Sequence, residues 1–226
     1  MIEKFVYDKW PRKEAYEFFS RLSDPFYMVS FEQDVTDLYE YTRSHDLSFY
    51  YGMVWACMKA VNEVEAFHLV IKDGELFYLE KRTPSFTDLK KGAEQFHIVT
   101  MEMIDDIALF CEEARRLSSR QEVFLHAEKE SDELVYLSSL PWIDLLSLTN
   151  ERDREDPAYK DDSIPRIAWG RFNDKNGRKV LGISLEVNHR LIDGLHIGRF
   201  ARALSEIIKG LNGEDEDQEV SGKKSE

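Results

Sequence analysis

The chain has 226 residues, 42% of them hydrophobic, enough to bury one sizeable core, and no linker divides it. Its formal net charge is −14 with a pI near 4.9, and its Lys and Arg residues gather into no long basic run. That balance argues against a nucleic acid or an anionic membrane as the main partner, since both require positive patches that release counterions.

Cys57 and Cys111 each sit in an apolar, helical segment, which predicts buried free thiols in a reducing cytoplasm and offers no C-x-x-C pattern. The N-terminal MIEKFVYDKWPRKE has no long apolar region, and no apolar run reaches about eighteen residues, so a soluble, unexported protein is expected.

Residues 10–22 read as a helix, with Pro11 in its first turn and Tyr16, Phe18, Phe19 and Leu22 near helical spacing. The following FYMVSFEQDVT is extended. A second helix starts at Asp34 or Thr36, both capping residues, and a largely apolar third covers about residues 50–64. Next, AFHLVIKDGELFYLEKR holds two β-rich runs around Asp73-Gly74, the strongest hairpin signal in the chain. A strand over residues 95–101 precedes a helix in MIDDIALFCEEARRLSS, with Ile104, Ala108, Cys111 and Leu117 near one face. ELVYLSSLPW is a strand running into a proline turn, and ERDREDPAYKDD is an acidic, loop-like excursion. Strands over residues 165–172 and 179–189 flank a turn at 174–178, and a last helix spans about residues 195–211. Residues 213–226 carry six acids against two lysines and are expected to form a disordered tail, with residues 1–212 as the single domain. Hairpins mixed with helices, without regular βαβ alternation, predict an α+β fold, a two-layer sandwich with a mixed sheet.

The stretch EVNHRLIDGLHIGRF puts His189 at the end of an apolar run, where the sheet anchors the residue and its ring reaches past the edge. A free imidazole titrates near about 6.5, so a substantial neutral fraction is available at pH 7 to accept a proton. Asp193, four residues on, sits with Gly194 in a turn at the mouth of a helix, where its carboxylate can pair with a cation or with backbone amides. Taken alone, H-x-x-x-D-G also fits a structural histidine.

At this string the chain resembles the chloramphenicol acetyltransferase family, whose signature is His-His-x-x-x-Asp-Gly-Phe-His. Here it is Asn188-His189-Arg190-Leu191-Ile192-Asp193-Gly194-Leu195-His196. Three more segments match in order: W-x-R-K-E-x-x-E-x-F at residues 10–19, I-K-D-G-E-L at 71–76, and S-x-x-P-W at 138–142. The resemblance runs to about Leu211 and implies the fold of that family of CoA-dependent acyltransferases. It also implies direct transfer of an acetyl group from acetyl-CoA, a cosubstrate, to a hydroxyl, without an acyl-enzyme. In this pattern His189 is the general base and Ser138 the hydroxyl that stabilises the tetrahedral oxyanion, while Ser139 faces the other way because strand side chains alternate.

The resemblance further implies that Asp193 pairs with Arg12 to hold the catalytic loop; enclosed under a loop, such a pair costs about 3 to 5 kcal/mol to break on one side. Trp142 and Arg171 match positions near coenzyme A, although a core tryptophan and a surface charge fit them equally. Phe19 and Tyr27 match aromatics of the acceptor pocket, or are simple core residues. His196 reads as structural. The six histidines are scattered without ligand spacing, so no metal is expected. The family is homotrimeric, with the histidine of one subunit facing a pocket built largely by its neighbour, which implies inter-subunit sites here.

Four positions depart from the pattern. Asn188 replaces the first signature histidine, Arg190 the small residue after the base, Leu195 the aromatic after Gly194, and Ala168 a water-holding threonine. These changes are expected to alter the acceptor's surroundings, with Arg190 adding charge and bulk beside the base. N-H-R-L-I-D-G is also similar to the D-H-R-x-x-D-G string of the acyltransferase domains of 2-oxo acid dehydrogenase complexes, which act on lipoamide thiols. A small hydroxyl acceptor such as chloramphenicol, with antibiotic resistance as the role, therefore stands beside two alternatives: another hydroxyl, amine or thiol acceptor, or a non-catalytic relative that binds a small ligand.

Overall fold

The computed structural model of the chain describes residues 2–222, with side chains through Asn212. Strand β1 (Ile2–Lys4) leads into helix α1 (Lys13–Ser20). That helix begins later than residue 10 because its first backbone bond runs from the Tyr16 N–H to the Arg12 carbonyl, 2.9 Å, which leaves Pro11 in the preceding turn. Strand β2 (Phe26–Asp34) passes to α2 (Thr36–Ser44) through Asp34, whose Oδ1 accepts from the Thr36 amide at 2.9 Å and its hydroxyl at 2.6 Å. Ser48 caps α3 (Phe49–Glu63), which is buried on every side from Tyr51 to Met58 and is therefore the central helix of the core.

Strands β3 (Leu69–Lys72) and β4 (Glu75–Leu79) form the expected hairpin. Asp73 and Gly74 take φ values of 52° and 76°, the two left-handed conformations of a turn that follows the natural strand twist. Strand β5 (Thr83–Asp88) went unpredicted, since it is short and Pro84 interrupts its alternation. After β6 (His97–Thr100), helix α4 (Ile107–Arg120) starts where Asp106 accepts from the Leu109 N–H at 2.8 Å. This cap corrects the expected face. Ile107, Phe110, Cys111 and Ala114 turn to the core, whereas Ala108 is exposed and Ile104 precedes the helix.

The chain then forms β7 (Leu134–Leu140), β8 (Arg166–Gly170), β9 (Asn173–Lys175), β10 (Arg178–Asn188) and α5 (Gly194–Gly222). The backbone of α5 continues past Leu211 through residues 213–222, where Glu and Gln favour helix. The rest of the expected tail, residues 223–226, lies outside the described residues. A seven-stranded mixed sheet has the order β2-β10-β8-β7-β5-β6, with β9 on β10; β7 runs parallel to β5 and β8, and the other pairs are antiparallel. A second sheet has the order β1-β4-β3. Strands of both directions with separate helices make the α+β class predicted from the residue patterns.

Alternation along β10 organises both faces of the large sheet. Leu181, Ile183, Leu185 and Val187 join the apolar core, while Ser184, Glu186 and Asn188 are buried on the opposite face. There they bind the segment 148–162. Ser184 Oγ accepts from the Leu148 N–H at 2.8 Å, Glu186 accepts from the Asn150 N–H at 3.0 Å and from Arg152 Nε at 2.9 Å, and Asn188 Nδ2 donates to the Lys160 and Asp162 carbonyls. ERDREDPAYKDD is thus a loop pinned to the sheet by charge and amide bonds. Just before it, the Leu145 backbone crosses so close that a Cβ on Gly182 would meet its carbonyl at 2.1 Å and one on Gly170 its nitrogen at 2.5 Å. Only glycines allow that approach.

Fully buried Arg82 ties the two sheets by donating to the carbonyls of Phe67, Leu69, Asp132, Leu134 and Ser163, and burial pulls its pKa down to about 9. Cys57 and Cys111 are free and buried, and burial pushes both thiols up, which makes them poor nucleophiles. No helix among the described residues is long and apolar enough to cross a membrane.

Candidate active site

His189 follows the last residue of β10, and its N–H donates to the Pro25 carbonyl at 2.7 Å. Its half-buried ring lies between two aromatics: Phe19 of α1 stacks at 3.9 Å between centroids and Tyr27 of β2 at 4.2 Å, with interplanar angles of 24° and 10°. Neither aromatic is a plain core residue. Burial lowers the His189 pKa, and the nearby Arg12 charge lowers it further against the opposing pull of Asp193. The ring is therefore held neutral at pH 7, the state a base requires.

Arg12, just ahead of α1, reaches back across the loop. Its Nη1 donates to Asp193 Oδ2 at 2.9 Å and its Nη2 to the His189 carbonyl at 3.4 Å. Asp193 also caps α5, accepting from the Leu195 N–H at 3.0 Å on Oδ1. Burial alone would raise the Asp193 pKa, but Arg12, His196 and the amides of Leu195 and His196 together hold it below the usual carboxylate range. His196 accepts the Asp193 N–H on Nδ1 at 3.1 Å, completing a capping box in which an imidazole stands for the usual Glu or Gln. The same Nδ1 lies 3.0 Å from Asp193 Oδ1, a contact that is a hydrogen bond only when Nδ1 carries the hydrogen. Burial pushes the His196 pKa down and favours the neutral ring, and two obligate donors at Nδ1, the Asp193 N–H and Arg12 Nη1 at 3.4 Å, favour the tautomer that accepts there.

The ion pair is less enclosed than expected, because Asp193 keeps 38% of its side-chain surface against 15% for Arg12. Its loss therefore costs less than that of a fully buried pair. With the lost cap included, Asp193→Ala is expected to destabilise the chain by about 2 kcal/mol, a fall in Tm of roughly 4–8 °C at this size. An unchanged Tm in a calorimetric scan would remove the structural role of Asp193.

Ser138 lies elsewhere, on β7, in a cavity of about 820 Å³ lined also by Tyr50, Thr87, Trp142, Trp169, Arg171 and Phe172. Thr87 Oγ1 donates to Ser138 Oγ at 3.1 Å, which leaves the serine's own proton free to point into the cavity. The Tyr50 hydroxyl donates to the Thr87 carbonyl. Trp142 is 69% exposed at the cavity rim and so is not a core tryptophan. Arg171 shares its charge with Asp144, Nε to Oδ1 2.6 Å.

One chain thus holds two separate groups of residues. Arg12, Phe19, Tyr27, His189 and Asp193 form the first; Ser138, Trp142 and Arg171 form the second, and His189 does not line their cavity. Pairing carries Ser138 across Ala168 to Ser184, five residues before His189. The two residues are therefore separated by roughly 17 Å along β10 and about 10 Å across two strand spacings.

Three of the four departures from the signature lie away from the ring. Contrary to the expectation, Arg190 does not add charge beside the base; it is buried on the opposite side of the strand end, bound to α1 and the 159–161 turn. Asn188 turns the same way, into the Lys160 and Asp162 carbonyls. Ala168 is buried between Ser138 and Ser184. Leu195 is exposed. The sequence reading missed Thr87 altogether, and the pairing of β5 with β7, which sets it beside Ser138, is a long-range contact with no local signal.

Among solved structures, a chloramphenicol acetyltransferase superposes with a TM-score of 0.82 at 21% identity, covering 92% of this chain and all of its own. The dihydrolipoamide acetyltransferase of Azotobacter vinelandii superposes with a TM-score of 0.66 at 18% identity, covering 86% of this chain and 85% of its own. These likenesses establish a shared fold. In sequence, the chloramphenicol acetyltransferase 3 of Escherichia coli is 26% identical over 212 residues, 90% of this chain and 95% of that protein. The chloramphenicol acetyltransferase of Bacillus pumilus is 25% identical over 209 residues, 91% and 93% of the two chains. Fold and relatives together define an acyltransferase. Residues 3–205 match the family described as chloramphenicol acetyltransferase, and the chain belongs to that family.

Proposed function

We propose that this protein, a cytoplasmic homotrimer, transfers an acetyl group from acetyl-CoA directly to the hydroxyl of a small acceptor, using His189 of one protomer and Ser138 of its neighbour. The observation that carries this reading is the separation just described. An imidazole outside the cavity that Ser138 lines and a serine donor in a cavity lined by no histidine are complementary halves. A closed ring of three copies can bring them together at each interface.

In the reaction His189 takes the proton of the acceptor hydroxyl as that oxygen attacks the thioester carbonyl. Ser138 donates to the oxygen that becomes negative, oriented by Thr87 behind it. When the carbon–sulfur bond breaks, the proton held on His189 passes to the departing thiolate. Base catalysis contributes about 10²- to 10⁴-fold, whereas aligning two bound substrates can contribute on the order of 7 to 11 kcal/mol. The Ser138 cavity therefore matters as much as the ring. Trp142 offers its rim an exposed aromatic face and Arg171 a cation, which suit a nucleotide-bearing thioester. Phe19 and Tyr27 flank the base and face the acceptor.

A pH dependence follows with a definite sign. The base acts when unprotonated, and burial together with Arg12 lowers the His189 pKa. The acid limb of kcat/KM is thus expected to have its midpoint below about 6.5, the ordinary histidine value. A midpoint at or above that value would show the ring in a different environment.

The activity is tested by incubating the pure protein with acetyl-CoA and chloramphenicol, then with a panel of alcohols, amines and thiols, and following the released coenzyme A thiol. Turnover of a hydroxyl compound is expected. Silence with chloramphenicol alone would remove that acceptor; silence across the panel would remove the activity and leave a ligand-binding protein.

A further inference from the structure

We infer that Arg190 is a positioning residue, whose guanidinium clamps α1 and the 159–161 turn to the His189 loop and thereby fixes Phe19 against the imidazole; its catalytic side rests on the acyltransferase reading above. Just before α1, the rings of Tyr7 and Trp10 pack on Tyr16 at 5.6 and 5.8 Å between centroids, and the Tyr7 hydroxyl donates to Glu17 at 3.0 Å. Tyr16 is the one buried residue of that eight-residue helix, so a hydrophobic face does not dock it. Polar links do so at both ends. Arg12, ahead of the helix, binds Asp193, and Arg190 binds the C-terminal half.

The geometry of the second link is specific. Arg190 is 6% exposed. Its Nε donates to Ser20 Oγ at 2.9 Å and its Nη2 to the Tyr16 hydroxyl at 2.6 Å, with the guanidinium carbon 4.7 Å from the Tyr16 ring centroid. Tyr16 and Ser20 are one helical turn apart on the same face, and Phe19 lies between them in sequence. On its other edge Arg190 Nη1 donates to Asp161 Oδ1 at 2.7 Å and to the Lys160 carbonyl at 3.0 Å, while Lys160 Nζ donates back to the Ser20 carbonyl at 2.8 Å. Asn188 holds the same turn. Both neighbours of His189 are therefore anchored on one side while its ring projects to the other. A planar fork of five donors can satisfy these partners at once; a lysine, with a single compact charge, cannot.

Arg190 acts through α1 rather than through its charge. The charges that bear on the His189 ring are Arg12, from the start of α1, and Asp193, from the loop ahead of α5, and Tyr27 faces it from β2. If the clamp is removed, the C-terminal half of α1 loosens, Phe19 shifts from the ring, and water reaches the imidazole.

The test is Arg190→Met, read in two ways: steady-state kinetics, and an NMR titration of the His189 ring in protein labelled at histidine. The expected result is a fall in kcat of about 10- to 100-fold, with KM for acetyl-CoA changed by less than about twofold. The His189 midpoint should rise toward about 6.5 as the ring is rehydrated. Arg190→Lys should fall between the two. Should Arg190→Met fail to fold, the pair Tyr16→Phe and Ser20→Ala removes the partners on α1 but keeps the Arg190–Asp161 link, and is expected to shift both readouts in the same direction. Wild-type kcat together with an unmoved His189 midpoint, in Arg190→Met or in that double variant, overturns the inference. If the wild-type protein transfers no acyl group, the activity reading alone fails, and the His189 midpoint still decides the role of Arg190.

Discussion

Replacing His189 by alanine is expected to slow acyl transfer by about 10²- to 10⁴-fold while leaving the fold in place. The loss is chemical because other groups hold the loop: Arg12 binds both the His189 carbonyl and Asp193, Arg190 binds α1, and the His189 N–H bond to Pro25 involves only the backbone. Alanine leaves an empty slot between Phe19 and Tyr27, which removes the proton acceptor and retains the cavity around Ser138. Initial rates of thiol release measure the effect. A loss of less than tenfold would mean that the acceptor proton leaves by another route.

Ser138→Ala is expected to lower kcat by about 10²- to 10³-fold with KM nearly unchanged, because the hydroxyl binds charge that exists only in the transition state. Thr87 sharpens the test. Its hydroxyl lines the same cavity and donates to Ser138 at 3.1 Å, which predicts that it acts through the serine. Thr87→Val should therefore cost less than Ser138→Ala and add almost nothing in the Ser138→Ala background, the signature of two residues working as one unit. Full additivity of the two losses would place Thr87 in a separate role.

Local features of the fold could be read before any coordinates. Asp73-Gly74 announces its hairpin because two adjacent left-handed residues belong to few other structures. His189 and Asp193 stand out for a similar reason: a strand end, a turn and a helix cap follow one another within a few residues, and each leaves its mark on residue type. Ser138 emerges from a short string on one strand. What escaped depends on distant contacts. The direction of Arg190 is decided by Ser20 and Tyr16, 170 and 174 positions away. The acids of ERDREDPAYKDD look solvated in sequence, yet Asp162 pairs with Arg152 and Arg166, and Asp161 with Arg190. The phase of α4 turned on the choice of Asp106 as its cap, a difference of a few residues that exchanges one helix face for another.

The central claim, that the base and the oxyanion donor come from different protomers, is tested most directly by mixing. His189→Ala and Ser138→Ala proteins, each inactive alone, are unfolded together in equal amounts, refolded, and assayed for thiol release. Sites shared between protomers should return, since about a quarter of the interfaces in random trimers pair an intact His189 with an intact Ser138 and should give about a quarter of wild-type activity. A mixture no more active than either variant alone, from preparations in which wild-type protein regains its activity, would contradict the account.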